Sequence, residues 1–214
     1  MANTNGAFGL RPVGTVGQNA NTGGLTEYRI ASGNTNKIYQ GSPVIPLAAG
    51  VIDIVGAAAG GTVGLLGVFW GCEYVSSTTG KKVWSNYWPG SGANSNYPVK
   101  AFVYDDPMQT FVIATSNLNT SWDTEAELRA AIFANADFAT ATTGDDTTGL
   151  SAGVLDVQTI ATTNTLNLRI MGIQEDPENS DFTVAGIPVI VRLNNHFNSP
   201  NGAIAGGTVS TTGV

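Results

Sequence analysis

The sequence predicts a mainly β protein: an antiparallel β-sandwich or jelly-roll-like barrel with one short helix and an extended arm at each terminus. Three observations carry that prediction. Charged residues make up only 12 % of the 214-residue chain, against ~25 % in an average globular protein. Thr, Asn, Ser and Gly fill the deficit, which excludes a charge-laced helical bundle. Several short runs of apolar and β-branched residues lie between Gly-, Pro- and Asn-rich turns, the pattern of strands. Finally, Leu65 to Pro89 (LLGVFWGCEYVSSTTGKKVWSNYWP) holds three of the four tryptophans, Trp70, Trp84 and Trp88, with Tyr87 and the single cysteine. It reads as two antiparallel strands joined by a turn at Gly80. Aromatic side chains bury ~150–250 Å² each, so this hairpin is the expected nucleus of the core or a contact between subunits.

Taken in order, residues 1–24 are rich in Gly and Asn and show neither a period of two nor one of 3.6. They are expected to form an N-terminal arm. Its apolar-basic knot, with Phe8, Leu10, Arg11, Pro12 and Val13, would engage a neighbouring subunit or a larger surface. A single β-rich domain is expected over 25–198. Leu25 to Ala31 alternates as a strand should. Pro43 and Pro46 confine Lys37 to Leu47 to a sheet edge or to two short pieces, because each proline removes a ladder donor. Val51 to Val55 is a short β-branched run. After the aromatic hairpin, Val99–Tyr104 and Thr110–Thr115 read as a second hairpin with Asp105-Asp106-Pro107 at its tip.

The one helix is predicted from Glu125 to about Asn135, within an insertion spanning about 124–136. Thr124 and Glu127 match a capping box, and Leu128, Ala131, Ile132 and Ala136 would form its apolar stripe. Residues 139–149 read as a loop. Val154–Thr159, Leu166–Ile173 and Ile187–Leu193 read as three further strands. The tyrosine-acid-acid-proline stretch at 104–107 is echoed at Glu175-Asp176-Pro177, which suggests two similar hairpins in one sheet system. Residues 199–214 return to Asn, Ser, Gly and Thr, as a flexible tail would.

Net charge is −7, with 9 basic residues against 16 acidic. The basic residues are scattered, whereas a nucleic-acid binder concentrates them on one face, so no nucleic-acid partner is expected. No apolar run reaches the ~18 residues of a membrane span, and the N-terminus has no signal-peptide pattern. The expectation is a soluble protein made in a cytoplasm, with no membrane partner. Cys72 stands alone and forms no disulfide within the chain.

Chemistry is sparse. One histidine, His196, and one cysteine are too few for the usual zinc ligand set, and no serine occupies a nucleophile elbow. Asp105-Asp106, Asp145-Asp146 and Glu175-Asp176 could pair carboxylates across a sugar, with Trp84, Tyr87 and Trp88 as a stacking platform. Carboxylates at turn tips are more simply explained as turn formers. Asp145-Asp146 and the Glu175–Asp181 group could also hold calcium, yet neither has the spacing of a calcium loop, and no P-loop is present. No catalytic residue, metal or cofactor is expected, and the protein is read as a non-enzyme.

Several pieces together nevertheless resemble a family. They are MANTNGAFGLRPVG at the start, YRIASG with IYQGSPVI, LLGVFWGCEYV followed by SNYWPG, then TGLSAGVLD, LRIMGIQEDPEN and VIVRLNNHF. They look like virion structural proteins of tailed bacteriophages, notably marine ones. The resemblance implies a capsid decoration (cement) protein made in the host bacterial cytoplasm. It would sit on the capsid surface, bind the major capsid protein and self-associate as a homotrimer, with no catalytic residues carried over. The competing readings are a carbohydrate-binding or depolymerising receptor protein and the major shell subunit itself. The latter usually has a long spine helix, which this sequence lacks.

Overall fold

A computed structural model describes residues 3–18, 24–57, 64–116 and 122–199, together with the backbone of two short strands near the C-terminus. The protein is mainly β, built on two antiparallel sheets packed in a sandwich-like arrangement with one short helix.

The second half of the chain builds most of the first sheet. Its strands are β1 (Arg11–Thr15), β8 (Gln109–Ala114), β9 (Asn135–Ala139), β10 (Val154–Ala161), β11 (Leu168–Ile173) and β12 (Pro188–Leu193), in the order β1-β8-β12-β11-β9-β10. The second sheet comes from residues 26–104. It contains β2 (Thr26–Ile30), β3 (Pro43–Leu47), β4 (Val51–Ile54), β5 (Gly67–Val75), β6 (Lys82–Ser85) and β7 (Val99–Tyr104). Its order is β2-β7-β5-β3-β4, with β6 also paired to β5.

Both sheets curl. The end strands β2 and β4 lie against each other, and Thr115 just beyond β8 bridges Leu155 on β10. Strand alternation then sorts the side chains, since successive residues point to opposite faces. Phe111, Ile113, Leu155, Val157, Leu168, Ile170, Val189 and Val191 fill one buried cluster, joined by Leu10, Ile45, Leu65 and Val68. Ile30, Val44, Ile52, Phe69, Trp88, Val99, Ala101 and Val103 fill a second one, whose buried members all lie within the second sheet's span and against which Phe197 packs.

The predicted aromatic hairpin forms: Cys72 pairs with Ser85, Glu73 with Trp84 and Val75 with Lys82. Gly80 takes a positive φ of 66° in the connection. The capping box is also present, with Thr124 Oγ1 accepting from the Glu127 amide and Glu127 accepting from the Thr124 amide. Pro43 and Pro46 act as expected. β3 pairs with β4 over Val44 to Leu47 but with β5 only at Pro43 and Val44, so Pro46 has a ladder neighbour on one side only.

Four expectations are corrected. β7 and β8 do not form a hairpin: β7 pairs with β5 and β2, and β8 with β1 and β12, so Asp105-Asp106-Pro107 carries the chain from one sheet to the other. The related stretch at Glu175-Asp176-Pro177 does join a paired β11 and β12. The helix ends at Ala130, earlier than predicted. Phe133 adopts a left-handed φ of 76°, which no helix continues through, and β9 follows directly. Ala136, assigned to the helical stripe, is buried on that strand.

Residues 3–18 do not stand apart as an arm. Leu10 is 0 % exposed, β1 pairs with β8, and the Asn3 and Asn179 side chains stitch residues 3–5 to the 179–185 loop. The reason is the single buried Leu10 together with backbone pairing, neither of which produces a visible period in so short a run. Near the C-terminus, within the stretch expected to be a flexible tail, β13 (Ala203–Ile204) pairs with β14 (Thr208–Val209). The remainder of that tail lies outside the described residues.

Candidate interaction surfaces

The aromatic hairpin divides its large side chains between core and surface. Trp88 is fully buried and meets Tyr74 edge-on at 5.4 Å. Its Nε1–H donates to the Asn34 carbonyl at 3.3 Å, so the indole is placed without stranding its donor. Tyr87 is half-buried and stacks on Tyr39, with ring centroids 5.8 Å apart. Trp70, also half-buried, meets Tyr104 edge-on at 5.4 Å.

Trp84 is different. It is 67 % exposed and stacks on Phe102 with the two rings 12° from parallel. Between their strands runs β5, which pairs Glu73 with Trp84 on one side and Gly71 with Phe102 on the other. The Lys82–Glu73 and Lys100–Glu27 ion pairs flank this stack. Phe102 was missed in the sequence, although alternation in VKAFVY places it opposite the inward Val99, Ala101 and Val103.

The N-terminal candidates and Trp70 come together. Phe8, Leu10 and Arg11 line a cavity of about 300 Å³ with Gln40, Gly41, Trp70 and Leu150. The Arg11 guanidinium lies over the Phe8 ring, 4.4 Å from its centroid, a cation–π contact that holds both at the rim. Leu10 is the floor, fixed by its amide donating to the Gly41 carbonyl at 2.9 Å. Pro12 and Val13 do not line this cavity; Val13 stands 53 % exposed at a β-bulge. A second cavity of about 300 Å³ lies between α1 (Glu125–Ala130) and the β11–β12 connection, with Ile173, Phe182 and Ile187 below Arg129 and Glu175.

The acidic turns are engaged with the protein itself. Asp105 accepts hydrogen bonds from Thr26 Oγ1 at 2.8 Å and the Tyr28 hydroxyl at 2.7 Å. Burial, reinforced by Asp105, pushes the Tyr28 phenol up to about 12. Asp106 accepts from the Met108 amide, Asp145 from the Thr147 amide, and Asp176 from the Glu178 amide, each closing its own turn. Asp146 pairs with Lys37 and accepts from the Tyr39 hydroxyl, and both contacts hold its carboxyl below the ordinary value. Among the described residues, no group of three or more His, Cys, Asp or Glu is arranged to hold a metal ion.

Cys72 and His196 are both buried and make no hydrogen bond to each other. Burial pushes the Cys72 thiol up to about 12, and its Sγ lies 3.4 Å from the Tyr87 carbonyl. His196 Nδ1 accepts from the Asn198 amide at 3.1 Å, while Nε2 has no partner. Burial drives this imidazole down to about 4, against a weaker opposing pull from Asp105 and Asp106. Among the described residues no helix is long and apolar enough to cross a membrane.

Comparison with protein-family models, with curated proteins and with solved structures finds no significant match.

Proposed function

We propose that this is a structural virion protein that binds the outside of a phage capsid as a decoration protein and stabilises the shell by repeated protein–protein contacts. Its partners in this reading are the major capsid protein and further copies of itself, as a homotrimer, and it performs no chemistry. The observation that carries the proposal is Trp84, a large aromatic held rigidly at the surface by its stack on Phe102. Trp, Tyr and Arg anchors dominate the energetics of protein interfaces. The Phe8–Arg11–Trp70 rim offers a second surface of the same chemical kind. The acidic side chains, by contrast, are taken up in turns and hydroxyl contacts.

The test is addition of purified protein to shells lacking it. Bound protein should raise the temperature at which shells break, and Trp84→Ala should weaken binding more than tenfold while leaving the fold intact. Shells that neither bind the protein nor gain stability would overturn the proposal. The exposed ring also favours a second reading, a saccharide stacked on Trp84. In that case a glycan array would show binding that Trp84→Ala abolishes, with no effect of the protein on shells.

A further inference from the structure

The outer face of the first sheet carries two like-charged pairs side by side. Arg169 on β11 lies directly opposite Arg192 on β12, and Asp137 on β9 lies directly opposite Asp156 on β10. Alternation fixes where they point. Leu168, Ile170, Val191 and Leu193 are buried inside, so Arg169 and Arg192 face out. Ala136 and Leu155 are buried inside, so Asp137 and Asp156 face out too. The contact between Asn167 Nδ2 and Asp137 Oδ1, at 2.9 Å, places Asp137 on the outer face beside β11. All four side chains are partly exposed, and none belongs to an ion pair among the described residues.

Like charges directly opposite each other on neighbouring strands destabilise a sheet. The arginines splay apart: Arg169 Nε donates to Asn135 Oδ1 at 3.1 Å, while Arg192 Nη1 leans to the Met108 sulfur at 3.8 Å. Arg192 Nε is out of contact with water and has no acceptor. Burial, with Arg169 alongside, holds the Arg192 guanidinium below its ordinary value. Opposite charge is met only across the β11–β9 seam, where Arg169 and Asp137 are diagonal neighbours, and Arg192 and Asp156 on the two flanks have no ion-pair partner among the described residues. The strands carrying them are consecutive, in the order β12-β11-β9-β10, so a positive flank adjoins a negative one on a single curved face.

We infer that a second copy of this chain docks on this face, seating its Asp137 and Asp156 against Arg169 and Arg192 of the first. Charge complementarity selects the occupant, because each copy supplies both halves of the contact. The rest of the chain is acidic: without Arg169 and Arg192 its 16 acidic residues face 7 basic ones. Such a contact is self-complementary: about a two-fold axis the acidic flank of each copy meets the basic flank of the other. It deepens the self-association proposed above and makes no use of a capsid. An oligomer with no affinity for shells would sink the decoration reading alone; a monomer that still binds shells would sink this inference alone.

The experiment is sedimentation of the full chain, with circular dichroism as a check on folding. Wild type should be oligomeric at low salt and dissociate at high salt. Arg169→Glu with Arg192→Glu, or Asp137→Lys with Asp156→Lys, should weaken self-association more than roughly tenfold. The chain bearing all four substitutions should reassociate, because the charges are then exchanged rather than removed. Where a reversed chain fails to fold, the neutral pair Arg169→Gln with Arg192→Gln replaces it and should shift the equilibrium the same way. A monomeric wild type, an oligomer indifferent to every one of these substitutions, or a four-fold exchange that stays monomeric would overturn the inference.

Discussion

Trp84 and Trp88 sit four residues apart, yet their substitution by alanine should have opposite consequences. Trp88 is fully enclosed and hydrogen-bonded, so Trp88→Ala should cost ~3–5 kcal/mol, read as a lower urea midpoint. Trp84 has most of its surface in water already, and Trp84→Ala should leave that midpoint nearly unchanged. His196 supplies the pH test. Its folded-state value of about 4 lies below the ordinary 6.5. As pH falls below 6.5 the unfolded chain takes up a proton that the folded chain refuses, so stability drops until the folded group also titrates near 4. The full loss is on the order of 3 kcal/mol. Denaturation midpoints should fall between pH 7 and pH 4, and His196→Leu should flatten that decline. At this scale the sequence showed which residues were unusual and hid where they went. Trp84 on the outer face of β6 and Trp88 at the isolated bridge to Ile38 just beyond it look alike in a list of residues, and only the pairing of the backbone separates them.

Elements were legible where a local rule fixes them. The β5–β6 hairpin needed only two β-branched runs and a turn glycine, and the helix start needed only Thr124 and Glu127 three positions on. Elements fixed by partners far along the chain were not legible. β9, Asn135–Ala139, has no β-branched residue and is a strand because β10 and β11 pair with its two edges. β7 and β8 have every local mark of a hairpin, yet each finds longer pairing elsewhere. One position where the ladder leaves no choice is Gly67, at the start of β5. A Cβ there would collide with the Tyr104 carbonyl on β7. Gly67→Ala should therefore force the β5–β7 ladder apart and lower the thermal midpoint by several degrees, whereas Gly80→Ala, with open space around it, should pay only for its positive φ.

For the molecule as a whole, the fold class could be read from composition and alternation, because few charges and many short β-branched runs leave little else. The role of the N-terminus could not, since Leu10 offers one apolar residue with no periodic neighbour. It fills a core built chiefly from residues beyond 110. Leu10→Ala should cost ~2–5 kcal/mol, and deletion of residues 1–15 should destabilise the isolated domain in a melting experiment; an unchanged melt would show that β1 is dispensable to it. The placement of β1 also has a meaning for synthesis. All of the fully buried members of the second sheet's cluster have been made once residue 103 has emerged from the ribosome, with Phe197 packing on later, so most of that half can fold while the chain is still growing. The first strand to be made, β1, must wait for β8 to be translated, and the stitching of residues 3–5 waits longer still, for residues 179–186. The first residues to leave the ribosome are thus among the last to find their place, and during that interval the edge of β8 is open to any other strand that reaches it.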